Sequence, residues 1–456
     1  MTPINAWDFG ATGRDEPEDQ AALQAALDHA GAHGRDLYIP RGVYRVTNAL
    51  LVPSGVRVFG DGARTILRAA VAALPGASVN GGTSYAVIGA VAAEDVTIAD
   101  LAIDLATGGA LANGIGFIPD QQFAGTPCRR VAVERCHIRG AVGHAYMIWS
   151  FNSDGVQIRD NDVDGGCVDF ATFHDQNGIE IVGGSGAMVT GNRVRRCANF
   201  GIGAIALAGF VSGVDGAIVS GNVVDGCGTG VSLGTANDAA TGPQHLRNVA
   251  VRGNVIRASH RYGVDAWTPM AGTTMRNVAV AGNVIDGGQL AVSLRGHLAD
   301  TGHRNVVVVD NVSTGATTTS AGEAAIAVTY FHGATVRDNA IADCAGAAVR
   351  VSFSDDVTIA GNSVTGAAGN GVAGTTSARL LVEGNRFTGC GASTTYSVLV
   401  TAMTDAAIVH NTFAQPGPFS HVVVTGTRGR VEGNISLASE AAALGQNLTT
   451  DPRGVF

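Results

Sequence analysis

Lysine is absent from the 456 residues, so all 29 basic side chains are arginine. That absence excludes chemistry run through a lysine amine, such as Schiff-base and pyridoxal reactions, and the phosphate-binding P-loop, whose glycines lead into a lysine. Charge of either sign is scarce, at 15% of residues, against about 25% in an average soluble chain. The formal net charge is -9, so the basic face that a nucleic-acid partner demands is missing. Long hydrophobic runs are missing as well. Hydrophobic residues make up 46%, yet no apolar run approaches the ~18 residues of a membrane span, so neither a membrane nor a nucleic acid is expected as a partner. The opening MTPINAWDFG has no basic segment leading into an apolar stretch. No signal peptide is expected, and the cytoplasm and a non-classical secretion route are the locations this reading expects, without a choice between them.

What the chain has in excess is glycine, at 64 residues, about twice the usual share of ~7%. The glycines punctuate a repeat: VQIRDNDV, MVTGNRV, IVSGNVV, VAVRGNVI, VAVAGNVI, VVVVDNVS, TVRDNAI, VTIAGNSV, LLVEGNRF, IVHNTF and RVEGNIS follow one another along the sequence. Their asparagines are Asn161, Asn192, Asn222, Asn254, Asn283, Asn311, Asn339, Asn362, Asn385, Asn411 and Asn434. They recur on average every ~27 residues, a solenoid period. An earlier copy, VAVERCHI, carries Cys136 where the asparagine would sit. Each unit alternates short Val- and Ile-rich strands with glycine-marked turns and has no helical period. Such a unit is one rung of a parallel β-helix. The asparagine suits its corner because it tolerates the left-handed conformation and its amide can bond to the next rung.

Seven cysteines form an odd set with no CxxC pair. Cys197, Cys227, Cys344 and Cys390 each lie five residues after a repeat asparagine, and Cys167 lies six after its own. A constant phase describes an interior stack of small side chains, so core packing is expected here, with no metal and no cofactor.

The segment INAWDFGATGRDEPEDQAALQAALDHAGAHGRDLYIPRGVYRV departs from the repeat. Its apolar residues fall at helical spacing from Pro17 to Ala30, with acids in the first turn and Gly31 as the stop. Strands at Leu37 to Ile39 and Val43 to Val46 flank a Pro40 to Gly42 turn. A solenoid end needs a cover, and an amphipathic helix supplies one. The expected organisation is a capping segment over residues 1–70 and one continuous β-helix over 71–456. The opening segment resembles the start of the pectate-lyase-like superfamily, which shares a DFGA.GDG..D...Q.A...A...G....P.G.Y pattern. The resemblance implies an all-β fold, a right-handed parallel β-helix of about a dozen rungs with an N-terminal capping helix. The superfamily holds polysaccharide lyases, glycoside hydrolases, uronate epimerases, tailspikes and fructotransferases, so fold does not choose the reaction.

A second recurring strand, seen in GIEIV, GVDAW, AVSLR, AIAVTY and AVRVS, gives the expected working face. Alternation turns its hydrophobic residues inward and sends Glu180, Ser232, Asp265, Trp267, Ser293, Arg295, Thr329, Arg350 and Ser352 outward. Longer connections hold Asp238, His245, His297 and His303, which would wall a groove. The densest cluster is GGCVDFATFHDQNGIEI, with Asp169, His174, Asp175 and Glu180. Glycoside cleavage commonly uses two carboxyl groups, one protonating the leaving oxygen and one acting as base or nucleophile. Glu180 leads this set, because most rungs carry a small residue at its position. Trp267, with Tyr330, Phe331 and His332 near strand ends, can stack on sugar rings. Arg295 and Arg350 can neutralise a uronate carboxylate, and Asp265 and His297 complete the expected substrate contacts.

The NTD and GHG strings of polygalacturonase-like hydrolases are absent, and the rung GHAYMIWSF lacks the aspartate of alginate epimerases. The leading expectation is an enzyme that cleaves or transfers glycosidic bonds of an oligo- or polysaccharide: a glycoside hydrolase or fructotransferase-like transglycosylase. Glu180 would work with Asp169 or Asp175, and His174 would support them. The first alternative is a polysaccharide lyase acting on a uronate polymer through Arg, His or Tyr. The second is a tailspike-type protein that binds glycans without turnover. A homotrimer is one assembly that a flat solenoid flank permits.

Overall fold

The computed structural model describes residues 2–449 except 18, 71–84, 107–111, 121–124, 142, 144, 168–169, 171–175, 208–212, 237–243, 269–271, 298–301, 319–322, 392–395, 415–421, 427 and 438–446. The helix expected near the start runs from Asp19 to His33 and buries Ala22, Leu23, Ala26, Leu27 and Ala30. It passes through Gly31 and stops at Gly34, three residues later than its spacing predicts. Gly34 takes the left-handed conformation (φ 59°), and the next N–H, from Arg35, returns to the Ala30 carbonyl at 3.0 Å. That geometry satisfies a terminal helix carbonyl and favours a residue without a Cβ.

Apart from a short 3-10 turn at Ala6–Phe9, the other regular elements among the described residues are strands, forming parallel β-helix in each of two compact units, Met1–Ser232 and Leu233–Phe456. In the first unit, strands Leu50–Leu51, Tyr85–Val91, Ala112–Ile118, Ala145–Phe151, Gln176–Val182 and Phe200–Leu207 pair in parallel, one per rung. In the second, Tyr262–Trp267, Leu290–Arg295, Ala324–Thr329, Ala347–Ser352, Val372–Thr375, Val398–Met403 and Val422–Gly426 do the same. Alternation holds on this face: Ile179 and Ile181 point into the core while Glu180 sits between them on the other side. No helix among the described residues is long and apolar enough to cross a membrane.

The repeat asparagines form ladders at one corner. In the second unit the ladder runs unbroken from Asn254 to Asn434. Asn311 shows the pattern. Its Oδ1 accepts the Asn283 backbone N–H (3.0 Å) and the Asn283 side-chain N–H (2.9 Å), while its own Nδ2 donates to Asn339 Oδ1 (2.9 Å) and to the Val280 carbonyl (2.9 Å). In the first unit Asn161, Asn192 and Asn222 are linked in the same way. Cys136 continues the series: its N–H donates to Asn161 Oδ1 (2.9 Å), and its thiol, placed like an asparagine amide, reaches the Ile98 carbonyl at 3.6 Å. The cysteine phase likewise marks the interior. All seven are buried, and the Cys197 N–H donates to Cys227 Sγ at 3.5 Å.

The arginines settle on outer faces. Arg68, Asp104, Arg139, Asp164 and Arg195 stand in register as a column of alternating charge. Their carboxylates are largely covered, Asp104 and Asp164 at 13% side-chain exposure, while the arginines stay 28–62% exposed, so each pair lies between the ~1 kcal/mol of an exposed pair and the larger effect of a buried one.

Two expected outcomes follow from the buried corner and its stack. Asn311→Ala strands the Asn283 donors and the Val280 carbonyl in the interior, so unfolding in urea should show a loss of roughly 2–4 kcal/mol, whereas Asn434→Ala at the ladder's end should cost under about 1 kcal/mol. Burial pushes the Cys136 and Cys344 thiols up to about 12, so a thiol reagent at neutral pH should leave the native protein unlabelled and modify all seven cysteines only after denaturation.

Candidate functional site

In the first unit the outward positions of successive strands form the column Leu51, Gly89, Gly116, Trp149, Glu180 and Gly203. The glycines are required by close approach. A Cβ on Gly116 would lie 2.5 Å from the Trp149 indole, so the ring lies over bare backbone and is 1% exposed. Phe151 meets the indole edge-on at 4.9 Å, and Ala86, Ile118 and Val182 complete the apolar packing.

Glu180 follows Trp149 in this column and is buried at 5% exposure. Its Oε2 accepts a hydrogen bond from Asn177 Nδ2 at 3.0 Å. Three buried side-chain atoms in the same pair of strands have no hydrogen-bond partner: the Trp149 indole nitrogen, a donor, Asn177 Oδ1, an acceptor, and Ser150 Oγ. Buried polar groups are almost always paired, so this neighbourhood holds unmet polar atoms within a rung of a carboxylate. Asp169, His174 and Asp175, expected to join Glu180, lie outside the described residues.

In the second unit two columns stand side by side. One runs Asp265, Ser293, Ala327, Arg350 and Ala373; the other runs Trp267, Arg295, Thr329, Ser352 and Thr375. Trp267 lies across Gly234, where a Cβ would come within 2.9 Å of the indole. Asp265 is 5% exposed. Arg295 Nη2 donates to both of its oxygens at 3.1 Å, and the Arg295 guanidinium stands 5.0 Å from the centre of the Tyr262 ring. Burial pushes the Asp265 carboxyl above the usual carboxylate range, and the Arg295 charge opposes that rise. Arg295 is therefore already matched by a carboxylate. Arg350 is not. It is half-buried, and its hydrogen bond is from Nε to Ser352 Oγ at 3.3 Å.

The remaining expected contacts are spread out. Tyr330 stacks on Phe353 at 5.0 Å and 15°, just past the strand ends, whereas Phe331, expected beside it, is 0% exposed and packs 5.5 Å from the His303 ring, so no sugar can reach it. His332 opens the strand His332–Arg337 of the adjoining sheet, in register with Arg304 and Asp355. Its Nδ1 is 3.6 Å from Asp355 Oδ2. His297 is half-buried, its N–H 3.2 Å from His303 Nε2. His303 is not on a groove wall as its connection suggested; it is 0% exposed and takes the Met275 N–H on Nδ1 at 3.2 Å. An imidazole there ties loop backbone to the core. Of the other wall residues, His245 is exposed and Asp238 lies outside the described residues.

Sequence reasoning missed Trp149, Asn177, Tyr262 and Phe353. The signal for Trp149 was present, since it lies one repeat before Glu180, but only strand register shows that the two share a column.

Three families match parts of the chain: rhamnogalacturonase A/epimerase, pectate lyase-like, over residues 3–111; right-handed β-helix region over 120–311; and periplasmic copper-binding protein (NosD) over 270–417. The exopolygalacturonase of Thermotoga maritima shares the fold at a TM-score of 0.54 and 15% identity, over 84% of this chain and 92% of that one. The chain belongs to the pectate-lyase-like right-handed β-helix superfamily. Within it, the curated relatives are matched over short stretches. A glucan 1,3-beta-glucosidase of Cochliobolus carbonum is 41% identical over 58 residues, 13% of this chain and 7% of that protein. A mannuronan C5-epimerase of Azotobacter vinelandii is 42% identical over 67 residues, 13% of this chain and 5% of that protein. The copper in the third family's description finds no fit. Among the described residues no three His, Cys, Asp or Glu side chains converge, and Cys344 and Cys390 face the core.

The Asp265 and Arg295 pair yields a test with a defined sign. A buried carboxylate whose folded pKa is raised binds its proton better folded than unfolded, so its stabilising contribution is present at low pH and lost as pH rises through the folded value. Arg295→Gln removes the opposing charge. Urea unfolding at about pH 7 should show a loss of about 2 kcal/mol, below the ~3–5 of a fully buried pair because Arg295 is half in water, and the loss should shrink at about pH 4 as the carboxyl takes its proton.

Proposed function

We propose that this protein is a carbohydrate-active enzyme that cleaves or transfers glycosidic bonds of an oligo- or polysaccharide, with Glu180 as its leading carboxyl group. The observation that carries the reading is Glu180 itself: a carboxylate, 5% exposed, in a column otherwise built of glycine, leucine and tryptophan. A carboxyl group in such surroundings is costly to bury and contributes nothing to apolar packing, which favours a chemical role over a structural one. In this reading Asp169 or Asp175 supplies the second carboxyl group, as base or nucleophile, and His174 supports it. Trp267, half-buried beside Arg295 in the second unit, provides a surface for a sugar ring.

The test is a product screen against neutral glucans, fructans and uronate polymers, read by mass and ultraviolet absorbance. Wild type is expected to release saturated oligosaccharides, and Glu180→Gln to slow their release about 10³-fold with the fold intact by circular dichroism. Trp267→Ala should weaken binding of the same polymers several-fold in affinity electrophoresis. Undiminished turnover in Glu180→Gln, or unsaturated ultraviolet-absorbing products that persist in it, would overturn the assignment.

A further inference from the structure

An arginine that is partly out of water and has no anion beside it is unusual, because a guanidinium removed from solvent needs its charge answered. Arg350 is in that position. Among the described residues no carboxylate pairs with it, and its hydrogen bond runs from Nε to Ser352 Oγ at 3.3 Å, which leaves both terminal nitrogens free. Other arginines of this unit without an ion pair, such as Arg252 and Arg386, stand exposed to water. Arg350 is half-buried, and burial lowers its pKa from the ordinary guanidinium value. The structure keeps space around it: the residues in register on either side are Ala327 and Ala373, both largely buried, so no long neighbouring side chain fills the flanks.

The bond to Ser352 directs the guanidinium toward the end of its strand. There Phe353, the next residue, is 47% exposed and stacks nearly parallel on Tyr330. Both aromatics hold positive φ, 50° and 60°. Ala92, Asn152 and Thr376 turn the same corner in other rungs with φ of 47–48°, so the conformation belongs to the corner, and what is particular here is that two successive rungs place aromatic rings on it. The hydroxyls of Thr329, Ser352 and Thr375 form a row between the guanidinium and the aromatic pair.

We infer that Arg350 and the Tyr330–Phe353 stack form a subsite for an acidic saccharide, the acid group paired with the Arg350 terminal nitrogens and the sugar ring resting at the exposed Phe353 face. The inference rests on the proposed saccharide-directed function and narrows its substrate to glycans bearing carboxylate or sulfate. Arg295 does not share the role, because Asp265 already neutralises it. A chain of net charge -9 repels polyanions overall, so any affinity for them must come from a local site.

Affinity electrophoresis of the full chain in gels containing polygalacturonate, alginate, dextran sulfate or neutral dextran tests this without requiring turnover. Wild type should be retarded by at least one polyanion and not by dextran; the two uronates against dextran sulfate distinguish a carboxylate from a sulfate. Arg350→Gln should weaken that retardation about tenfold or more, as loss of a charge-assisted contact does, Arg350→Lys should retain part of it, and Phe353→Ala should also weaken it. Arg386→Gln, an exposed arginine elsewhere, should leave it unchanged. The melting temperature of Arg350→Gln should stay level or rise, since a merely structural arginine would lower it on removal. Equal retardation of Arg350→Gln and wild type, retardation by dextran alone, or none in any gel would overturn the subsite. Polyanion retardation lost in Arg350→Gln together with no products from any polymer would leave the subsite standing and refute the enzymatic reading instead.

Discussion

The buried asparagine at each rung's corner is the interaction on which the rest of the structure depends. An amide removed from water is stable only if its oxygen and both its hydrogens are bonded, and here the partners are the asparagines of neighbouring rungs and the backbone beside them. Asn283, Asn311 and Asn339 can satisfy one another only when their rungs lie in the same phase. A slip of one residue would leave several donors and acceptors orphaned at once. The ladder therefore fixes register, and register decides which side chains become neighbours.

That decision reaches the candidate sites through columns. The same outward phase that stacks Gly116 under Trp149 places Glu180 next in line, so the room made by an absent side chain in one rung sets the surroundings of a carboxylate in another. In the second unit the phase puts Arg295 beside Trp267 and lets it reach Asp265, whereas Arg350 falls between two alanines. Two arginines that alternation places on the same face, but in adjacent columns, thus differ in electrostatic state. One is neutralised by a buried acid and belongs to the protein's own framework; the other keeps terminal donors available to a ligand.

Fold similarity does not extend this to a reaction. The exopolygalacturonase shares most of its length with this chain at 15% identity, a level at which the backbone path persists and the site residues do not, and one such path supports many chemistries. The short stretches of higher identity to a glucosidase and an epimerase cover 13% of the chain each. The chemistry has to be argued from the carboxylates, the aromatic surfaces and the Arg350 guanidinium.

The repeat was fully legible in the sequence, because a buried corner tolerates few residues and so recurs visibly. The Asn positions, the Cys136 substitution, the interior cysteine phase and the inward Val and Ile pattern all followed from that constraint, and the parallel β-helix with its capping helix followed from them. The outward positions of Glu180, Asp265, Trp267, Arg295 and Arg350 were legible too, since alternation depends only on counting. What counting does not give is distance between rungs of unequal length. The steps from Asn339 to Asn362 and from Asn161 to Asn192 differ, 23 against 31 residues, so only the folded register shows that Trp149 adjoins Glu180, that Asp265 holds Arg295, and that His303 turns inward. Sequence by itself determined the architecture, because hydrogen-bond satisfaction at the corner is local and periodic. The tertiary structure decided the electrostatic state of each charged group, because that depends on which neighbour the register brings beside it.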